Sequence, residues 1–211
     1  MTLGNTDSAE VYIVDDDPLV RNALSIVLSR AGYQVKGFAE GASFLAAARS
    51  RTPACVILDV HMPGQSGLDI LKELNAQQYP APIFIISGAG DIPMAVEAIK
   101  NGAFDFIEKP FDATTAVTRV REATEAWSRR AKQANGAESL PRTFPGCDQL
   151  TSRERDVLGQ IAGGFSNKQA GRELGISPRT IEVHRARIME KLGAKNAADL
   201  VRIVLSEGRG A

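Results

Sequence analysis

Three aspartates, a serine and a lysine stand at the ends of apolar runs in the first half of the chain. Asp15 and Asp16 follow Val11-Tyr12-Ile13-Val14, and Asp59 follows Cys55-Val56-Ile57-Leu58. Ser87 closes Ile83-Phe84-Ile85-Ile86, and Lys109, ahead of Pro110, closes Phe106-Ile107-Glu108. Short apolar runs without alternation predict strands covered on both faces, as in a parallel sheet. Ligands of such sheets bind outside the carboxyl ends of the strands. Three carboxylates gathered there repel one another unless a cation lies among them, which suits a hard divalent ion such as Mg2+ beside phosphoryl chemistry.

The elements that must position these groups alternate strand and helix. Val11–Val14 is followed by a helix over Pro18–Ala31, with Leu19, Ala23, Ile26, Val27 and Arg30 at helical spacing and Pro18 in its first turn. Gln34–Phe38 reads as a strand and Ala42–Arg49 as a short helix. After Cys55–Leu58, Ser66 caps a helix through Asn75, with Asp69 completing a capping box. After Ile83–Ile86 comes a helix over Ile92–Asn101, then the strand Asp105–Glu108 and a long helix from Thr114 to about Ala134. Five strands, each followed by a helix, predict a doubly wound α/β domain. Composition changes after Trp127, and Gly136–Gly146, with Pro141 and Pro145, reads as a linker that the long helix extends into. The expected division is 1–125, 126–147 and 148–211.

The last part has no strand signal. Thr151 with Glu154 and Ser166 with Gln169 form capping boxes, Gly175-Ile176-Ser177 is a tight turn, and Pro178 opens a helix running to Leu192. A fourth helix spans Asn196–Leu205. The net charge of zero hides an asymmetry. Residues 1–125 carry 10 basic and 16 acidic side chains, residues 126–147 carry 4 and 1, and residues 148–211 carry 11 and 8. An acidic front suits a cation site, and a basic back permits nucleic acid binding. The polar N-terminus and the lack of a long apolar stretch predict a protein without a membrane span, and two cysteines, Cys55 and Cys147, predict a reduced, cytoplasmic one.

Val14-Asp15-Asp16-Asp17-Pro18, Leu58-Asp59-Val60-His61-Met62-Pro63-Gly64-Gln65-Ser66-Gly67, Ser87-Gly88-Ala89 and Lys109-Pro110-Phe111 together resemble the receiver domain of two-component response regulators. The resemblance covers about residues 8–125 and implies a flavodoxin-like, five-stranded fold. It implies that Asp59 is the phosphoacceptor, taking a phosphoryl group from a phosphohistidine on a sensor histidine kinase. Asp16, Asp59 and the backbone carbonyl of His61 would bind Mg2+, with Asp15 acting through water. Lys109 would pair with the phosphate, Ser87 would donate to it, and Phe106 would turn inward as the switch. Lys109-Pro110 is a candidate cis bond. His61 is otherwise an exposed loop residue, and its side chain and that of Ala89 flank the site and tune phosphate lifetime. Val96, Ile99 and Lys100 are candidates for a dimer face used on phosphorylation. The regulator's only catalysis would be its own phosphotransfer and autodephosphorylation. A dehalogenase-type phosphatase also uses Asp and Mg2+, and Asp15-Asp16-Asp17 formally contains its Asp-x-Asp. The Asp59 and Lys109-Pro110 pattern fits the receiver better.

Thr151-Ser152-Arg153-Glu154 through Leu158, and Ser166-Asn167-Lys168-Gln169 through Ile181-Glu182-Val183-His184, resemble the LuxR/NarL/FixJ helix-turn-helix domain over about residues 148–208. A receiver followed by this module is identified as a member of the NarL/FixJ class of transcription regulators. Gly90–Lys100 with Asp105–Phe111 is similar to the FixJ branch, which implies activation of nitrogen-fixation genes. The resemblance places the Pro178 helix in the major groove of promoter DNA and implies RNA polymerase as a further partner. Ile181, Ile188 and Leu192 share an inward stripe, Glu182, Val183 and Ala186 face bases, and Lys168, Arg179, Arg187 and Lys191 face phosphates, with Thr180 a further DNA candidate. His184, at the inward edge, reads as a packed histidine. A receiver that is only a phosphate sink, with C-terminal helices docking protein, is the alternative.

Overall fold

Five parallel strands lie in the order β2-β1-β3-β4-β5, namely β1 (Glu10–Val14), β2 (Gln34–Phe38), β3 (Cys55–Asp59), β4 (Ile83–Gly88) and β5 (Asp105–Lys109). This is the doubly wound arrangement in which the chain reverses direction across the sheet beside β1 and β3. The computed structural model describes residues 9–88, 92–133, 144 and 146–205, and contacts divide the chain into two compact units, Met1–Trp127 and Ser128–Ala211. Helices α1 (Pro18–Arg30), α2 (Gly41–Ser50), α3 (Gly67–Glu73), α4 (Ile92–Lys100) and α5 (Ala113–Gln133) follow their strands.

β3 is buried along its whole length, and β1 and β4 nearly so, which is why their sequences are continuous apolar runs. β2 is an edge strand: Gln34, Lys36 and Gly37 are exposed and Phe38 alone is buried. Phe38, Tyr12 and Phe44 meet edge to face beneath it, with ring centroids 5.1–6.4 Å apart. β4 and β5 run further than their apolar runs, so Ser87 and Lys109 are the last strand residues but one and last, respectively. Ser66 caps α3 with the expected capping box, but α3 stops at Glu73 rather than Asn75. The Leu74 N–H closes the last turn, and Asn75 takes the left-handed conformation at φ 51°, which a short polar side chain tolerates.

The buried face of α1 is Leu24 and Leu28, not the stripe of Leu19, Ala23 and Ile26 that its spacing suggests. Leu19 is 76% and Ile26 53% exposed. Both sides of this helix carry apolar residues, so period alone does not choose the inward one.

In the second unit, after a short 3-10 turn at Cys147–Gln149, come α6 (Ser152–Ala162), α7 (Asn167–Leu174), α8 (Pro178–Leu192) and α9 (Ala197–Leu205). The capping boxes at Thr151/Glu154 and Ser166/Gln169 are formed, and Ser177 caps α8 ahead of Pro178. Asn196 accepts from the Asp199 N–H and so lies outside the helix it was expected to begin. Val157, Leu158, Ala170, Ile181, Ile188, Leu200 and Val204 form the core, each buried aliphatic contributing about 1–3 kcal/mol. α7 and α8 approach closely because position 171 is glycine: a Cβ there would lie 2.6 Å from the Ile176 carbonyl oxygen. The linker residues 134–143 and the flanking residue Ala89 lie outside the described residues.

Candidate functional site

The register of the sheet brings the chemical residues to one edge. Val14 pairs with Leu58, Asp59 with Ile86, Ser87 with Glu108 and Gly88 with Lys109. Asp15 therefore sits just beyond β1, and Asp59, Ser87 and Lys109 at the carboxyl ends of three neighbouring strands. Asp15, Asp59 and Ser87 are buried, Lys109 is half-buried and Asp16 is exposed. The Lys109 ammonium lies 3.1 Å from Asp59 Oδ1 and 3.3 Å from Asp15 Oδ2. Asp15 is held in place by the Asp17 N–H, 2.8 Å from Oδ1, while the Arg21 guanidinium donates to its backbone carbonyl at 2.6 Å. Asp17 caps α1 and takes no part in the cluster.

Oxygens of Asp15, Asp16 and Asp59 lie within 4.8 Å of one another. One ammonium among three carboxylates leaves a formal −2, the complement of a divalent cation, and an all-oxygen donor set of this spacing fits Mg2+. Burial pushes the Asp59 carboxyl above its usual range. Lys109 pulls it down through its hydrogen bond and charge without overcoming the burial, and Asp15 adds to the rise. Burial acts against the Lys109 ammonium, yet Asp59 and Asp15 hold its pKa above the ordinary value. The peptide bond Lys109-Pro110 is cis.

Two further features shape this end of the sheet. Gly67 packs on the backbone after β3, where any Cβ would collide with the Asp59 carbonyl oxygen, and its N–H donates to the Val60 carbonyl at 2.9 Å. On β5, Asp105 is fully buried and paired with Arg119 of α5. Asp105 Oδ1 also accepts the N–H of Phe106, whose ring is half-buried.

In the second unit, α7 and α8 form two helices joined by the Gly175-Ile176-Ser177 turn, with Gly175 left-handed at φ 68°. Lys168, Arg179, Glu182 and Ala186 are exposed and Val183 is half-buried. Asn167 ties the two helices, donating to Glu182 at 3.2 Å and accepting from Arg185 at 2.8 Å.

The residues 11–121 match the model of the response regulator receiver domain, and residues 148–204 match that of the luxR family of bacterial regulatory proteins. The chain belongs to the response regulators. It is 40% identical to the transcriptional regulatory protein FixJ of Bradyrhizobium diazoefficiens, over 96% of this chain and 98% of that one. It is equally 40% identical to the response regulator protein TmoT of Ectopseudomonas mendocina, over 94% of this chain and 89% of that one. The solved structure of the response regulator StyR matches with a TM-score of 0.53 and 36% identity, covering 93% of this chain and 98% of that one. The regulator is thus a phosphorylation-dependent transcription regulator, with a receiver that implies a sensor kinase and a LuxR-type domain that implies DNA. Among the described residues no helix is long and apolar enough to cross a membrane, and neither Cys55 nor Cys147 is in a disulfide.

Several expected site residues stand elsewhere. Ile99 is 2% exposed and packs in the core, so it belongs to no surface, whereas Val96 is half-buried and Lys100 exposed. Thr180 is buried with its hydroxyl 2.8 Å from Ser177 Oγ, so it faces the helix cap and not DNA. Arg187 and Lys191 are not free for phosphates: Lys191 Nζ donates to Glu154 Oε2 at 2.7 Å and to the Gln149 carbonyl at 3.0 Å, and Arg187 Nε lies 3.6 Å from Glu154 Oε1. Ile181 and Ile188 are buried as their stripe requires, and Leu192 is half-buried. His184 is 3% exposed and neither ring nitrogen has a hydrogen-bond partner. Burial and the nearby Arg153 lower its pKa to about 3. Asn167 and Gly67 carry no signal in the sequence beyond belonging to the family motifs, and Arg185, just past the motif that ends at His184, carries none, because their roles depend on contacts across elements.

Proposed function

We propose that the receiver takes a phosphoryl group from a kinase phosphohistidine onto Asp59 and that this charge controls promoter binding by the second unit. The observation that carries the reading is the Lys109 ammonium held between Asp15 and Asp59 at the carboxyl edge of the sheet. An Asp59 carboxylate oxygen attacks phosphorus, the P–N bond to the imidazole breaks, and its electron pair returns to the ring nitrogen. Asp15, Asp16, Asp59 and the His61 backbone carbonyl would hold Mg2+, which supplies neutralising charge for the transferring oxygens. Lys109 then turns from carboxylate to phosphate, Ser87 donates to a phosphate oxygen, and Phe106 moves inward. Hydrolysis by water returns inorganic phosphate and the free carboxylate, at a rate tuned by His61 and Ala89.

The kinase docks on α1. Leu19 and Ile26 form an exposed apolar stripe on the helix whose cap directly follows Asp15 and Asp16, so a partner that covers them is brought beside the acid cluster and removes apolar surface from water. Phosphorylation favours a dimer through the face of α4, β5 and α5, with Val96 and Lys100 at its contact. Two copies of α8 then meet half-sites roughly 34–36 Å apart. Lys168 and Arg179 hold phosphates, and Glu182, Val183 and Ala186 read base edges. The regulator acts in the cytoplasm and activates transcription with RNA polymerase. Nitrogen-fixation genes are its proposed targets, on the FixJ likeness alone.

Incubation with Mg2+ and a small-molecule phosphodonor such as acetyl phosphate tests the reading. The expected product is one base-labile phosphate per chain, absent from Asp59→Asn, with tighter promoter binding and a doubled mass in sedimentation. Equal labelling of Asp59→Asn would overturn the chemistry. Labelling without any change in DNA binding would overturn the coupling.

A further inference from the structure

The helix read as entering DNA carries two cations that the fold turns away from the surface. Positions 184, 187, 188 and 191 fall on one side of α8, since residues three and four apart share a face. His184 and Ile188 are buried there, and Arg187 and Lys191 lie at the margin with side chains 17% and 27% exposed. Both point at one acceptor, Glu154 of α6, whose side chain is fully buried. Glu154 is already committed to capping α6, where its Oε2 accepts the Thr151 N–H at 2.8 Å. Its Oε1 is buried without a hydrogen bond, leaving Arg187 Nε at 3.6 Å as the facing charge. Burial alone would raise the Glu154 pKa, but the Lys191 and Thr151 hydrogen bonds and the Arg187 charge hold it below the ordinary carboxylate range.

A carboxylate this deep is more than a cap needs, since Gln169 performs the same capping duty on α7 without charge. We propose that Glu154 sets the sequence specificity of the DNA-binding unit by withholding Arg187 and Lys191 of α8 from the phosphate backbone. Contacts to phosphates add affinity for every sequence alike, whereas base contacts discriminate. With two cations engaged internally by one carboxylate, α8 meets DNA through Arg179, Glu182, Val183 and Ala186, and a larger share of its binding energy depends on sequence. The inference rests on the reading of α8 as the DNA-facing helix.

The test is a salt series by fluorescence anisotropy with the full chain, on a random-sequence duplex and on a duplex selected by the wild type from a random pool. In E154Q, which keeps a capping acceptor, the log–log salt slope on the random duplex is expected to steepen by about 0.9 for each phosphate gained, up to about 1.8 per subunit. The loss of random-duplex affinity between 50 and 200 mM salt then grows about 3.5- to 12-fold, and discrimination between the two duplexes falls. K191Q is expected to leave the wild-type slope unchanged, while K168Q, at an exposed position, lowers it by about 0.9. A slope lowered as much by K191Q as by K168Q overturns the inference even if E154Q fails to fold. An unchanged slope in a folded E154Q overturns it too. A wild-type chain that binds neither duplex removes the DNA-facing reading itself, and this inference with it.

Discussion

Replacing Asp59 by asparagine should stabilise the metal-free receiver. Asp59 takes part in one close attraction, to Lys109 at 3.1 Å, and two repulsions, from Asp15 and Asp16, with oxygens within 4.8 Å. At an effective dielectric of about 20 the attraction is worth about 5 kcal/mol and each repulsion at least about 3.5 kcal/mol. Water around the exposed Asp16 weakens its share, while burial of Asp59 acts in the same direction as the repulsions. The net gain from removing the charge is about 1 kcal/mol, or about 4 °C in Tm for a unit of this size. Because the Asp59 pKa is raised on folding, its penalty is absent below the unfolded value near 3.9 and develops as pH rises through the folded one. Thermal unfolding without metal should therefore give superimposed wild-type and Asp59→Asn midpoints in acid and a higher variant midpoint at pH 7. Mg2+ at about 100 times its Kd should then raise the wild type by about 2.7 kcal/mol and the variant by much less. A variant less stable than wild type at pH 7 without metal, or an equal response to Mg2+, refutes the reasoning.

Arg119→Met removes the guanidinium that faces the fully buried Asp105, and denaturant unfolding should show a loss of about 3–5 kcal/mol, partly recovered by adding Asp105→Asn. His184 is held neutral with a pKa of about 3, so its contribution is intact above pH 6.5 and is lost as pH falls toward 3. The stability of His184→Leu relative to the wild type should rise by about 3–5 kcal/mol between pH 7 and pH 3, as read by unfolding of the second unit. Leu19→Ser should slow phosphotransfer from a cognate kinase roughly 10-fold, the loss of about 1.4 kcal/mol of apolar docking contact, while leaving labelling by acetyl phosphate unchanged, which separates docking from chemistry. Arg179→Ala should weaken binding to all duplexes alike and reduce the salt slope by about 0.9, measured by anisotropy.

What could be read before folding was whatever depends on neighbours in the chain. The strand runs β1, β3 and β4 announce themselves because both faces are covered, and the capping boxes at Ser66, Thr151 and Ser166 are complete within four residues. The acid cluster was also legible, since parallel strands all end at one edge and a polar residue closing an apolar run must stand there. α1 was not, because Leu19 and Ile26 are as apolar as Leu24 and Leu28 and only the sheet decides which pair it covers.

The cations of α8 make the same point in charge. Arg179, Arg187 and Lys191 are equivalent by composition and by helix, and each reads as a phosphate contact. Glu154, on a helix two elements earlier, separates them: its buried carboxylate faces two of the three and leaves Arg179 exposed. A capping box predicts that Glu154 bends back to its own helix start, and it does so, but a carboxylate has acceptor sites to spare after one N–H is met. Once that second capacity is buried, cations must fill it, because an unpaired carboxylate in the interior costs several kcal/mol. The electrostatic footprint of the DNA-binding helix is therefore decided in part by how deeply α6 buries its cap.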